Sequence, residues 1–243
     1  FVSYAAFIDT GRHAICSASP ELFFRLDGDR ITCRPMKGTA TRGLWWSDDE
    51  SRAEALRQSP KNRAENIMIV DMMRNDLGRI ARTGTVEAPR VFEVERYRTL
   101  FQMTSTVTAR TDAPVADIFR ALFPCASVTG APKVRTMQII SELEQSPRGI
   151  YTGRIGITAP GRQAQFNVAI RTVHVDRESA SAEYGTGSGI VWDSSDRDEY
   201  DECRVKSAIL LSPEAEFALL ETMLSAAADG SFLLRRHLQR LSQ

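Results

Sequence analysis

Three groups of residues in this sequence have the chemistry of a reaction centre. The first is Lys37, in "RPMKGTA", together with Glu21, in "SPELFF", sixteen residues earlier. A nucleophilic lysine must be partly neutral, which takes desolvation or a neighbouring cation. A carboxylic acid that donates a proton near neutral pH needs burial to hold that proton. Two strand-end residues at this separation can meet across a hairpin. The plain alternative for Lys37 is a surface charge beside a turn.

The second group is acidic. Glu65 lies in "RAEN", and "RDEYDECRVK" supplies Glu199, Glu202 and Lys206. Glu199, Glu202 and Lys206 stand at i, i+3 and i+7, one face of a helix. Two carboxylates on one face and a third from another helix would form an oxygen-rich site suited to a hard divalent cation such as Mg²⁺. The same spacing also suits a solvated, salt-bridged helix face. The third group is glycine-rich. "GTGSGI", residues 185–190, follows a strand-like run and would let backbone N–H groups approach an anion, or simply turn the chain. "TGAPK", residues 129–133, opens a helix whose N-terminus favours anions, or is a capping loop. Arg171, at the end of "FNVAIRT", suits a carboxylate of either substrate or protein. His13, His174 and His237 have no acidic or cysteine partners at ligand or triad spacing and are expected to be uninvolved; neither GxSxG nor HExxH occurs.

Composition narrows the classes. Lys and Arg number 31 and Asp and Glu 31, so no net field favours nucleic acid or an anionic membrane. The four cysteines form no CxxC and no tight framework, which argues against a metal knuckle or a disulfide scaffold and for a reducing cytoplasm. No apolar run approaches the ~20 residues of a membrane span. The 243 residues begin at Phe1 and end within a helix-like run, "LLRRHLQRLSQ", so a fragment of a longer protein is expected.

Positioning these groups requires a mixed α+β fold. Residues 1–40 read as strands, with a hairpin turn at Asp27-Gly28. Ser47 is placed to cap a helix that Pro60 interrupts. From Lys61 a largely buried helix runs to Gly78 on Ile67, Met68, Val70, Met72, Met73 and Leu77. Strand character returns at residues 84–110, a helix at 114–123, a loop at 124–132, and a helix from Pro132. Strand runs with glycine turns fill residues 148–192, and residues 196–210 read as a closing helix. Strands interleaved with a few long helices imply substantial antiparallel sheet. "SPEAEF", after Leu211, marks a boundary between a domain at 1–211 and a tail at 212–243.

Taken together, "SPELFF", "PMKGTA", "KNRAENIMIVDMMRNDLGRI", "TSTV", "LFPCASVTGAPKVRTMQIISELE", "RGIYTGRIG", "FNVAIRT", "GTGSGIVWDSS" and "EYDECRVK" resemble, in order and spacing, the chorismate-utilising enzymes. That family includes anthranilate synthase component I, aminodeoxychorismate synthase component I, isochorismate synthase and salicylate synthase. The resemblance covers residues 1–211. It implies the antiparallel-sheet-rich fold of that family, here without its N-terminal region. Lysine before the Gly-Thr of "PMKGT" resembles the aminodeoxychorismate branch, where anthranilate synthases usually carry alanine. By resemblance, Lys37 is the nucleophile and Glu21 the acid. Mg²⁺ is held by Glu65 and Glu202 with Glu199 nearby. Gly187 and Gly189 offer backbone donors, Tyr151 and Arg171 grip the side-chain carboxylate, Gly38 and Thr39 line the substrate, and Lys206 balances the acidic cluster. The implied reaction is amination of chorismate with ammonia from a glutamine amidotransferase subunit, in 4-aminobenzoate and folate synthesis. The alternatives are anthranilate synthase, or a non-catalytic relative that scaffolds a glutaminase. Asn62 stands where many relatives are acidic, and Gln102 where several carry histidine. The tail, "FALLETMLSAAADGSFLLRRHLQRL", resembles the opening of a class IV pyridoxal-phosphate lyase or aminotransferase.

Overall fold

The computed structural model describes residues 3–97, 100–192, 194–210, 225–226, 230–231 and 235–236. The chain divides into two units, Phe1–Lys206 and Ser207–Gln243. Five strands open the first unit: β1 (Tyr4–Asp9), β2 (His13–Ser19), β3 (Leu22–Asp27), β4 (Arg30–Arg34) and β5 (Met36–Thr41). Helices α1 (Trp46–Gln58) and α2 (Pro60–Gly78) follow, then β6 (Glu87–Arg96) and β7 (Leu100–Arg110). Next come α3 (Val115–Leu122), α4 (Ala126–Thr129) and α5 (Lys133–Leu143). Strands β8 (Arg154–Ala159), β9 (Gln163–Val168), β10 (Thr172–Asp176) and β11 (Ser181–Tyr184) lead to α6 (Asp196–Ser207). In the second unit a 3₁₀ turn spans Ala208–Leu210, and Ser225–Ala226 (β12) pairs with Gly230–Ser231 (β13). The rest of the tail resemblance, and His237, lie outside the described residues.

All strand pairs are antiparallel. In the first unit one sheet has the order β1-β2-β10-β11 and a second runs β5-β7-β4-β3-β9-β8, with β6 also on β7. The β3–β4 hairpin pairs Asp27 with Arg30, leaving Gly28 and Asp29 as the loop. Gly28 has φ +59°, the positive value that the first position of a type II′ turn demands.

The larger sheet buries Phe23, Phe24, Ile31, Val107 and Val168 against Ile69, Val70, Met73 and Leu77 of α2 and Ile118 and Leu122 of α3. On α2 the buried positions 66, 69, 70, 73 and 77 form a single face of period 3.6. Ile67 and Met68 fall on the other side and are exposed, so the helix is buried on one face and not all round. Pro60 is the first residue of α2 and Ser59 its cap, accepting from Asn62 N at 3.3 Å. Ser47 does not cap α1. That helix begins at Trp46, and the carboxylates of Asp48 and Asp49 reach back to Leu44 N (3.0 Å) and Gly43 N (2.7 Å) ahead of it. The expected loop at 124–132 contains the short helix α4, and Pro132 caps α5 from outside as its N-cap residue.

Candidate active site

Lys37 sits in a β-bulge. Met36 pairs with Thr104 and Thr39 with Gln102, so β5 advances three residues while β7 advances two. Gly38, at φ +99°, absorbs the extra residue; a Cβ there would come within 3.1 Å of Asn62. The bulge turns the half-buried Lys37 out of the sheet toward the glycine loop. A Cβ on Gly189 would lie 3.3 Å from Lys37 Nζ, a tight contact, so the amine sits close to the loop backbone.

Glu21 precedes β3 and is 4 % exposed. Its carbonyl accepts from Val168 N at 3.1 Å, and its carboxylate accepts from Ser127 Oγ of α4 at 2.7 Å. Burial pushes the carboxyl's proton affinity up, and Ser127, Lys37 and Arg154 pull partly against that shift. The Lys37 charge therefore acts on Glu21, although Lys37 lies on β5, which pairs with β7 and not with β3. Arg154 faces the same acid from β8. Its guanidinium lies 3.9 Å over the Phe23 ring and 5.3 Å from that of Phe123, and donates to the Thr152 carbonyl at 2.7 Å. Burial lowers its own proton affinity, against which Cys125 and Glu21 act, and among the described residues its Nε and Nη2 are buried with no close hydrogen-bond partner.

The glycine loop is shaped by Tyr151. A Cβ on Gly185 would fall 2.2 Å from the Tyr151 ring, and one on Gly187 would fall 2.9 Å from its hydroxyl. Lys206 ties the loop to α6, donating from Nζ to the Gly187 carbonyl (2.9 Å) and pairing with Glu202 (2.6 Å). Thr39 is exposed and donates to Gln102 Oε1 at 3.3 Å. Arg171 is half-buried, with φ +50°; its carbonyl accepts from Ala18 N at 3.0 Å, and its charge acts on Tyr184. Lys133 of "TGAPK" pairs with the buried Asp76 at 2.5 Å, which satisfies its charge within the protein. His13 and His174 meet each other, Nδ1 to Nε2, at 3.1 Å on the smaller sheet.

Glu199 accepts from Ser194 Oγ at 2.6 Å. That hydrogen bond, a second from Ser188 and the charges of Lys61 and Lys206 hold its carboxyl below the usual range. Lys61 and the half-buried Glu65 stand four residues apart on one face of α2. A set of carboxylate oxygens suits a hard divalent cation. Among the described residues no group of three His, Cys, Asp or Glu side chains converges as a metal site, and Glu202 is engaged with Lys206.

Three residues at this site carry no signal of their own in the sequence. Ser127 meets Glu21 across 106 residues, Arg154 is one residue within a strand run, and Asn66 adjoins Glu65 on α2 yet faces the sheet.

An antiparallel α+β domain that brings a lysine, a buried glutamic acid, a glycine loop and a carboxylate-bearing helix to one region belongs to a defined class. Residues 2–212 match the profile of the chorismate binding enzymes, and the chain belongs to that family. The relatives it resembles include the aminodeoxychorismate synthase of Streptomyces griseus, 46 % identical over 212 residues, 86 % of this chain and 29 % of the relative. Component 1 of the Bacillus subtilis (strain 168) aminodeoxychorismate synthase is 38 % identical across 90 % of this chain and 46 % of its own length. Among solved structures, anthranilate synthase component I from Streptococcus pneumoniae TIGR4 superposes with TM-score 0.77 at 34 % identity, over 85 % of this chain and 46 % of that one. The chain thus spans less than half the length of these relatives.

Proposed function

We propose that this chain carries the catalytic residues of an enzyme that converts chorismate and ammonia to 4-amino-4-deoxychorismate and water. The observation that supports the reading most strongly is the lysine itself. Lys37 Nζ stands beside the Gly189 backbone and within electrostatic reach of the buried Glu21.

In the first step the neutral Lys37 amine attacks ring carbon 2. The two conjugated ring double bonds each shift one position, and the carbon 4–oxygen bond breaks. Glu21 gives its proton to the departing hydroxyl, which leaves as water. Ammonia then attacks carbon 4, the double bonds shift back, and the carbon 2–nitrogen bond breaks to release Lys37. The proton lost by the incoming nitrogen returns to Glu21. Covalent catalysis divides one hard displacement into two easier ones. Tyr151, Arg171 and the N–H groups of Gly187 and Gly189 orient the carboxylates, with Gly38 and Thr39 along the ring. Mg²⁺ would be held by Glu65 and Glu202 with Glu199 nearby, and would supply charge neutralisation for the ring carboxylate. Lys206 balances the acidic cluster and shares Glu202.

Ammonia would come from a glutamine amidotransferase partner, in keeping with relatives named as component 1. The product would feed 4-aminobenzoate and folate synthesis. Four free cysteines, two of them buried, suit a reducing cytoplasm. The domain would occupy residues 1–211, with residues 212–243 opening a separate module. The test is product identification with the full-length protein, chorismate, Mg²⁺ and ammonium. An adduct that keeps the enolpyruvyl group supports the reading. Anthranilate with released pyruvate supports the anthranilate synthase alternative, and absence of chorismate binding by calorimetry supports a scaffold.

A further inference from the structure

The bulge that aims Lys37 leaves a problem of its own. Where β5 gains a residue over β7, the carbonyls of Lys37 and Gly38 fall between Met36↔Thr104 and Thr39↔Gln102, the paired positions that flank the register shift. Backbone carbonyls in a buried region need donors from elsewhere. Two side-chain amides meet them. Asn66 Nδ2 of α2 approaches the Lys37 carbonyl at 3.4 Å, and Gln102 Nε2 of β7 donates to the Gly38 carbonyl at 2.9 Å. Both amides are buried, at 1 % and 8 % exposure. Each is also anchored at its oxygen. Asn66 Oδ1 accepts from the buried Ser105 Oγ at 2.5 Å, and Gln102 Oε1 accepts from Thr39 Oγ1 at 3.3 Å. Ser105 in turn accepts from Phe92 N at 3.1 Å and sends its own N–H to the Pro35 carbonyl at 3.1 Å.

We propose that Asn66 and Gln102 are positioning residues for Lys37: their amides clamp the two consecutive carbonyls of the bulge and so fix the direction of the amine toward the glycine loop. Asn66 directly follows Glu65 on α2. One turn of helix therefore sets both the lysine and a carboxylate of the acidic group, which ties their separation to a single rigid element. This inference rests on the reading of Lys37 as the nucleophile.

The test uses the full-length enzyme with chorismate, Mg²⁺ and ammonium. Asn66→Asp keeps the acceptor for Ser105 and loses the donor to the Lys37 carbonyl. Gln102→Glu likewise keeps the bond from Thr39 and loses the donor to Gly38. Each is expected to lower kcat by about tenfold to a hundredfold, the cost of a misplaced reacting group. KM for chorismate should stay close to wild type, while the melting temperature falls, because each variant sets a buried carboxylate oxygen against a backbone carbonyl. Asn66→His, which returns an N–H donor, should recover part of the loss. Wild-type kcat in both isosteric variants overturns the proposal. So does a joint fall of kcat, chorismate affinity and melting temperature that Asn66→His does not reverse, since that is the mark of a structural role alone. Lys37→Ala separates the two ideas. If it is inactive while Asn66→Asp and Gln102→Glu are normal, only the clamp falls. If Lys37→Ala aminates at the wild-type rate, the nucleophile reading falls and the clamp with it.

Discussion

Glu21 and Arg154 set the proton chemistry at the scale of single residues. Desolvation raises the Glu21 carboxyl above its ordinary value of 4.5, so the native state holds a proton that the unfolded chain has already released. Stability from this source is therefore lost as pH climbs from about 4.5 through the folded-state value. Glu21→Gln removes that loss: its melting temperature relative to wild type should gain as pH rises from about 4.5 and level off above the folded-state value. The same substitution removes the proton donor and should lower kcat by about 10²- to 10⁴-fold. The Arg154 charge favours ionised Glu21. Arg154→Met should therefore move the alkaline fall of the rate profile to higher pH, a shift that a purely structural arginine would not produce. Lys37 and Glu21 stand out in the sequence because their residue types lie in an ordered set of motifs. Ser127 and Arg154 do not, because a hydrogen bond or a field between residues more than 100 apart leaves no local pattern in the chain.

At the scale of elements, the bulge in β5 and the loop at 185–189 do the aiming. Gly185 is close-packed against the Tyr151 ring, and a methyl group there has nowhere to go. Gly185→Ala should destabilise by about 1–3 kcal/mol by thermal or denaturant unfolding. Combined with Tyr151→Ala the two losses should fall well short of additive, because the second change empties the space that the first fills. Most strands and helices were readable from alternation, proline and glycine. Ser47 misled because two aspartates capture the N–H groups ahead of α1, a choice that depends on the path of the preceding loop. Ile67 and Met68 misled because hydrophobic content alone does not say which face meets the sheet; the period through Asn66, Ile69, Val70, Met73 and Leu77 does. The bulge is invisible in "PMKGTA" except for its glycine, since register is a property of two strands and not of one.

At the scale of the whole molecule, the chain holds the lysine, the acid and the glycine loop in one unit, Phe1–Lys206. Among the described residues no helix is long and apolar enough to cross a membrane. If ammonia is delivered by a separate subunit, the full-length protein alone should aminate chorismate with ammonium and not with glutamine; adding the amidotransferase should restore the glutamine-dependent rate. The family assignment was legible because its motifs recur in order along residues 1–211. Three carboxylates can be counted in the sequence, where the i,i+4 spacing of Glu202 and Lys206 already admits a salt bridge, and in the folded chain the two are paired. The central claim is a covalent bond between residue 37 and the ring. Full-length protein mixed with chorismate and Mg²⁺ without ammonium, quenched in acid and digested, can be searched by mass spectrometry for chorismate less one water. That mass is expected on the peptide bearing Lys37 and absent in Lys37→Ala, which should form no 4-amino-4-deoxychorismate; amination by Lys37→Ala at the wild-type rate would contradict a covalent role for the lysine.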